Sequence, residues 1–570
     1  MTDQPIEPAE RVRLSTLPWL TRLSRRRIVY GAVIFLTATV SWLTRWVVDD
    51  AYITFRFSQN VAAGRGPVFN PGDRVEGYTN FLWMMINVIP HRLGWDPLPF
   101  AQLLGLGCFV AIGVATVALG RRVLGPSGLV LIALLLVAGN GTVIRFATSG
   151  METCLAVALV LGAVVALTEP DGSWTASTRR LAVASGFAGL AVLTRLDTVI
   201  VLAIWFLAWA RARSKLHRTE WQKLGPWVAA IVPALFLVVP WLIWKQSYYG
   251  QLLPNTFTAK SGGVRWQMLL VGAMYLGLFV MSYALVFLVP RLSRLRTLVD
   301  RPLGRPLLVV LAIWPLYVLW VGGDWMEFRF MTMYVPFMGV AVAWLLDDVV
   351  SWLRHAVVVG ALALASVVHV LPLPVFGIFS PLSMDAATSE FRAVGEELQR
   401  QFPGDLDDQR RPMMAVGAAG ALVYFSEVRA VDVLGLTDAT VAETGERADF
   451  YFPGHQIISP IRYLVSRNVN LVLVMDGPIE VDPDRTAYRL SEVAQYYPIV
   501  DLRILPKSTT VVEIPTPIGT VRAIELIRHP MIDELVDAGT WKRYPIEFVC
   551  DPDDIVDFLK AFGTKTCPDL

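Results

Sequence analysis

The chain has 570 residues, 54% of them hydrophobic and 17% charged, with 50 Lys and Arg against 48 Asp and Glu for a formal charge of +2. A mean hydropathy of +0.50 lies outside the soluble globular range, so the chain reads as a polytopic membrane protein. The balanced charge, with basic residues in short clusters at segment ends, excludes nucleic acid as a partner.

The first 27 residues are polar and end in Ser24-Arg25-Arg26-Arg27. The apolar stretch 28–46 behind them is too long for a signal-peptide core and has no small-residue cleavage site, so it reads as a retained anchor. Three arginines ahead of it put the N-terminus in the cytoplasm. Residues 81–90 are predicted as an amphipathic helix on the outer interface, because the segment closes with Pro90-His91-Arg92 and counting it as a span would reverse every later loop. Further spans are predicted at 98–120, 127–146, 152–168, 180–197, 198–210, 226–244, 266–290, 306–321, 330–347 and 355–373, making about eleven transmembrane helices. Several are short for a bilayer of roughly 30 Å, 198–210 above all. The clusters Arg121-Arg122, Arg179-Arg180, Arg211 to Lys223, Arg291 to Arg305 and Arg354 then share the cytoplasmic side, as the positive-inside rule requires.

From about residue 380 the polarity becomes ordinary, with strand-like runs at Met413–Val416, Val469–Met475 and Thr509–Ile514 separated by helix-like stretches. The expected organisation is a cytoplasmic tail (1–27), a transmembrane domain (28–379) and an extracytoplasmic α/β domain (380–570), in a multi-pass protein of the plasma (inner) membrane. Cys550 and Cys567 are the only cysteines of the last part, and a bridge between them suits that compartment. Cys108 and Cys154, in or beside spans, read as small packing residues. The Gly417-Ala-Ala-Gly420 run follows a strand but lacks the GxGxxG pattern, so it reads as a tight strand-to-helix turn.

The unusual polar stretches all fall on the predicted outer side. They are Asp49-Asp50-Ala51-Tyr52 with Arg56, Glu76 to Asn80, Thr148 to Thr153, Thr194 to Asp197, Tyr248 to Lys260, and Gly322 to Glu327 with Arg329. Each has a plain reading by itself. An acid marks a membrane boundary, Glu152 favours a helix start, Asn255 after Pro254 makes a turn, and Arg195 with Asp197 forms a structural ion pair. Six such loops on one face argue instead for a site. A substrate with a lipid tail and an anionic head would place its phosphate where Arg56, Lys260, Arg195 or Arg329 neutralises it, while a carboxylate removes a proton from an acceptor hydroxyl. That is the chemistry of glycosyl transfer from a lipid phosphate. Tyr52, Tyr78, Trp83, Tyr248, Tyr249 and Trp325 either stack on sugar faces or form an interfacial aromatic belt.

An acidic pair in the first outer loop, a many-span body and a C-terminal extracytoplasmic domain resemble the GT-C class of membrane glycosyltransferases. More narrowly, DDAYITFRFSQN at 49–60, EGYTNFLW at 76–83, SGMET at 149–153, TRLD at 194–197, YYGQLLPNTFTAK at 248–260, GGDWM at 322–326 and YFPGH at 451–455 resemble the terminal β-(1→2)-arabinofuranosyltransferases of mycobacterial cell-wall arabinan. The resemblance implies decaprenyl-phosphoryl arabinofuranose as donor and the nonreducing ends of α-(1→5)-arabinan, in arabinogalactan and lipoarabinomannan, as acceptor. Carried onto this chain, it makes Asp49 and Asp50 the catalytic candidates, with Asp49 slightly preferred although spacing gives no physical basis for the choice. Tyr52, Arg56, Glu152, Arg195, Asp197, Asn255, Lys260, Asp324 and Arg329 become candidates for the donor. Tyr78, Asn80, Trp325, Tyr451 and His455 become candidates for the acceptor, with the C-terminal domain a carbohydrate-recognition module. No cofactor is required, and no metal is assigned: an acidic pair can take a divalent cation, but there is no His/Cys cluster. A monomer is expected. Donor and product are both β-linked, so retention needs a covalent intermediate, a front-side attack or a second acid, for which Glu152, Asp197 and Asp324 are available. Two alternatives stand beside this reading: a GT-C transferase of another prenyl-phosphate sugar such as mannose, and a transporter or flippase of a lipid-linked sugar, which would favour repeated halves and polar breaks at mid-membrane.

Overall fold

The computed structural model describes residues 25–547 apart from 175, 216–222, 261–264, 302, 371–377, 448–452, 475–476, 491 and 494–504. The Cys550–Cys567 pairing and Tyr451 therefore lie outside the described residues. Cys108 and Cys154 are buried free thiols within the helical body.

Helix is present in each of the eleven stretches expected to span. Among the described residues, five helices are long and apolar enough to cross a bilayer: Arg25–Leu43, Pro97–Leu124, Leu224–Tyr249, Arg265–Ser282 and Gly304–Val321. Three expected stretches are not continuous. The first breaks into Leu129–Ala138 and Gly141–Phe146, because the Asn140 side chain caps the second helix by accepting from Val143 N. The stretch 266–290 stops at Ser282; Ala284 takes a left-handed φ of 53° and a 3₁₀ segment, Leu285–Arg294, follows with Pro290 inside it. The third opens with a 3₁₀ turn, Arg329–Met333, before Val335–Leu345. The expected interfacial helix at 81–90 is two short helices, Phe81–Ile86 and Val88–Leu93. One face buries Trp83 and Met84 while Met85, Ile89 and Leu93 remain exposed.

Small residues set the helix packing. Thr178–Thr194 lies between Thr153–Leu167 and Leu224–Tyr249. A Cβ at Gly189 would stand 3.0 Å from Ala234 Cα, so only glycine allows that approach. Pro233 interrupts the hydrogen-bond ladder of the longer helix, and the adjacent Ala234 N–H donates to Ser185 Oγ at 3.0 Å.

The C-terminal part opens with the helix Pro381–Gln401. Its strands are β1 (Met414–Val416), β2 (Ala430–Asp432), β3 (Glu446–Arg447), β4 (Ile457–Ile458), β5 (Leu471–Leu473), β6 (Tyr488–Arg489), β7 (Thr510–Thr516), β8 (Gly519–Glu525) and β9 (Lys542–Glu547). Seven form one mixed sheet in the order β2-β1-β5-β8-β7-β9-β6, and β3 pairs with β4 separately. The β1 centre is parallel to both neighbours, whereas β7 and β8 form an antiparallel hairpin in register Thr516↔Gly519. The three strand-like runs in the sequence are β1, β5 and β7.

This part has one apolar cluster of its own, with Val431, Leu464, Val472, Val511 and Ile524, and shares a second with the helical body. The shared cluster joins Ile53, Phe57, Phe69, Tyr78 and Met84 of the helical body to Leu398, Phe402, Met414, Val423, Leu471, Val512 and Trp541. The seam is then closed by polar side chains gripping main chain. Arg56, fully buried, donates to Val423 O and Val428 O at 2.8 Å each and to Phe69 O at 2.9 Å. Asn70 exchanges bonds with Ala430 N and O. Asn255 Nδ2 donates to Gly435 O at 2.7 Å and to Leu436 O and Asp438 O.

Candidate active site

The helix Asp49–Ala62 follows the extended residue Val48 (φ −104°, ψ 147°), and its first turn carries both acids. Carboxylates there complement the positive end of the helix dipole. Consecutive helical residues are rotated by roughly 100°, so the two side chains diverge. Asp49 points into the seam, where Oδ2 accepts from Gly420 N at 3.0 Å and Oδ1 from Ala421 N at 2.7 Å. Burial pushes its carboxyl up to about 7, against the pull of these two N–H donors. Asp50 points the other way, into a cavity of about 590 Å³, within the roughly 300–1,000 Å³ typical of ligand sites.

All six polar loops reach that cavity. Its wall includes Asp50 and Thr54, Tyr78 and Asn80, Met151 and Glu152, Arg195 and Asp197, Pro254, Phe257 and Lys260, and Asp324 with Arg329; Leu436, Pro453 and Gly454 of the C-terminal part roof it. Apolar residues Leu253, Met268, Trp320 and Val321 line one flank.

Most of the charges are already paired. Arg195 bonds Glu152 Oε1 at 3.0 Å and Asp197 through two contacts, the shorter 2.6 Å. Glu152 Oε2 accepts from Asn80 Nδ2 at 2.8 Å. Arg329 Nε donates to Asp324 Oδ2 at 2.6 Å. Among the described residues, two charged groups in the wall have neither a hydrogen bond nor an ion pair: Asp50 and Lys260. They are each other's largest electrostatic partner. Burial raises the Asp50 carboxyl while Lys260 and Arg329 lower it and Asp324 and Glu152 raise it further. Burial likewise lowers the Lys260 ammonium, and Asp50 opposes that.

Six expected site residues stay out of the wall, and each has a physical reason. Asp49 is bound to the Gly420 turn and Arg56 to three carbonyls. Asn255 is held by the Gly435–Asp438 main chain. Tyr52 is buried against Phe55, Tyr424 and Phe425. Trp325 and His455 make an edge-on ring contact at 5.7 Å behind the wall, with His455 Nδ1 3.1 Å from Pro453 O. Sequence reasoning also missed residues that do matter here. Arg265, at the cavity mouth, donates to Trp320 O at 3.1 Å and lies over the Trp320 ring; at the start of a span it reads as a simple boundary cation. Glu76 pairs with Lys245 at 2.6 Å, both buried. A lysine inside an apolar helix was the available signal for that pair.

The apolar helices and the likeness to solved structures define the class as a membrane-helical protein of GT-C fold. Against solved structures, ArnT from Cupriavidus metallidurans bound to undecaprenyl phosphate superposes with a TM-score of 0.52 at 14% identity, over 79% of this chain and 93% of that one. Its apo state matches at the same TM-score and identity over 87% and 97%. These likenesses establish the fold.

Two curated relatives are terminal β-(1→2)-arabinofuranosyltransferases. The one from Mycobacterium tuberculosis is 32% identical over 271 residues, 45% of this chain and 41% of the relative. The one from Corynebacterium glutamicum is 29% identical over 329 residues, 50% and 46%. The chain thus spans less than half the length of the curated relatives it matches. Residues 384–515 match a domain family of unknown function, DUF8728.

Proposed function

We propose that this chain transfers arabinofuranose from decaprenyl-phosphoryl arabinofuranose to the nonreducing ends of α-(1→5)-arabinan, forming terminal β-(1→2) linkages at the outer face of the plasma membrane. The observation that carries the reading is the cavity whose wall holds, among the described residues, one carboxylate, Asp50, and one ammonium, Lys260, with neither a hydrogen bond nor an ion pair, together with the apolar residues Leu253, Met268, Trp320 and Val321. The names of the two curated relatives supply the sugar and linkage.

In the reaction the C1–O bond to the donor phosphate breaks and C1 bonds the acceptor 2-oxygen. Asp50 takes the hydroxyl proton, and Lys260 neutralises the departing prenyl phosphate. Glu152, Asp197 and Asp324 are already bound to arginines, so they shape the sugar pocket and hold the loops together. Among the described wall residues that leaves Asp50 as the one unpaired carboxylate, and with Asp50 serving as base the retained β configuration is met by front-side attack, the acceptor oxygen entering C1 on the face from which the phosphate leaves. The N-terminus lies in the cytoplasm and the C-terminal part outside, where donor head and arabinan meet.

Purified protein supplied with prenyl-phosphoryl arabinofuranose and a synthetic arabinan oligosaccharide tests the reading. Asp50→Asn is expected to lower turnover by about 10²–10⁴-fold. Lys260→Met is expected to raise the donor KM. Transfer from prenyl-phosphoryl mannose in place of arabinose would refute the sugar assignment, and full transfer by Asp50→Asn would refute the base.

A further inference from the structure

The six-residue helix Ala421–Ser426 of the C-terminal part is held at both ends by the helix that carries Asp50. Asp49, the first residue of that helix, accepts from Gly420 N and Ala421 N at the start of the short helix. Arg56, seven residues on and two turns along the same face, donates to Val423 O and Val428 O at its end. An anion at the N-terminal amides and a cation at the C-terminal carbonyls match the charge distribution of the short helix. The approach at Gly420 is so close that a Cβ there would stand 2.0 Å from Asp49 O and 2.5 Å from Asp49 Oδ2.

We propose that Asp49 is a positioning residue: by locking the first turn of its helix to the Gly420 turn, it fixes where its neighbour Asp50 stands in the cavity. This rests on the reading of Asp50 as the reacting carboxylate. Asp49 is cut off from the cavity, and the grip that holds it is made of main-chain amides 371 and 372 residues away. The C-terminal part then acts on the chemistry through Gly420, whatever it also binds. The Gly417–Gly420 run serves as an anion-accepting turn whose anion is Asp49 of the same chain.

The test compares Asp49→Ala, Asp49→Asn and Gly420→Ala in full-length protein, with transfer kinetics normalised to folded protein. A positioning role predicts that Asp49→Ala and Gly420→Ala each lower kcat at least tenfold with the donor KM within twofold, and that the double variant is no worse than either alone. Asp49→Asn, which keeps Oδ1 as an acceptor for Ala421 N, is expected to recover part of the loss. Hydrogen exchange provides a second readout that needs no sugar: Asp49→Ala should speed exchange at Gly420 and Ala421 and in residues 49–53. If the unmutated protein transfers no arabinose, the functional reading fails while the exchange result still decides the clamp. Unchanged exchange at those amides overturns the proposal. So does Asp49→Asn as inactive as Asp49→Ala beside a fully active Gly420→Ala, because that pattern belongs to a residue touching substrate.

Discussion

Arg56→Met tests whether the one arginine of the helix Asp49–Ala62 is structural. Burial without a carboxylate partner is costly, and it pulls the Arg56 guanidinium down to about 9, still charged at neutral pH. Its three acceptors are not equally dependent on it. Phe69 O keeps a second donor in Asn60 Nδ2 at 3.2 Å, and Val423 O keeps a long bond from the Ser426 hydroxyl at 3.4 Å. Val428 O depends on Arg56 most. At about 1–3 kcal/mol for the one carbonyl left stranded and a smaller loss at the two that keep a donor, less the relief of removing a buried charge, the net loss is about 2 kcal/mol. At about 2–4 °C per kcal/mol for a domain of the size of the C-terminal part, the melting temperature falls about 4–8 °C. Tryptophan fluorescence of the detergent-solubilised protein during a thermal ramp reads this directly. A melt within about 2 °C of the unmutated protein, joined to a raised donor KM, would refute the clamp and return Arg56 to the phosphate.

Other outcomes follow from the same geometry. Breaking the buried Glu76–Lys245 pair by Glu76→Gln or Lys245→Met should cost about 3–5 kcal/mol, and replacing both together markedly less, measured by the same melts. Transfer should fail as pH drops through the raised pKa of Asp50, since the base must be ionised; Lys260→Met removes the cation that lowers this pKa and should move the acid limb of the rate profile to higher pH. A shift to lower pH would contradict the pairing of the two groups. A Cβ at Gly77 would stand 2.7 Å from Thr437 Cγ2 and 3.1 Å from Thr437 Cα, so Gly77→Ala should push the loop from the roof and raise the acceptor KM more than the donor KM. Alkaline phosphatase fused to the C-terminus should be active, and an inactive, well-expressed fusion would overturn the proposed orientation.

The helical body could be read from the sequence because membrane spans announce themselves by length and apolarity, and so could the strands β1, β5 and β7 by their short apolar runs in a part of ordinary polarity. The breaks at Asn140 and Ala284 could not, since a side-chain cap and a left-handed residue leave no trace in hydropathy. The gathering of six loops followed from parity, and the cavity contains all six. What parity cannot give is direction within a loop. Asp49 and Asp50 are chemically identical neighbours, and only the partner contributed by residues 420–421 separates them. Arg56 and Asn255 misled for a similar reason. Their partners are carbonyl oxygens, and a main-chain acceptor has no signature in any residue type.

The seam between the two parts is lopsided in a way that bears on how such chains diverge. Four helical-side side chains, Asp49, Arg56, Asn70 and Asn255, meet the amides and carbonyls of residues 420, 421, 423, 428, 430, 435, 436 and 438, while on the other side four side chains take part, Asp385, Asp407, Glu427 and Arg467. Main-chain atoms survive almost any substitution. At those main-chain contacts the C-terminal part is therefore free to vary its side chains with little risk to its mooring, as long as Gly420 stays bare; the helical part has no such freedom at its four anchors. Saturation mutagenesis of the two sides of those contacts should return a tolerant map on one and a sparse, intolerant one on the other.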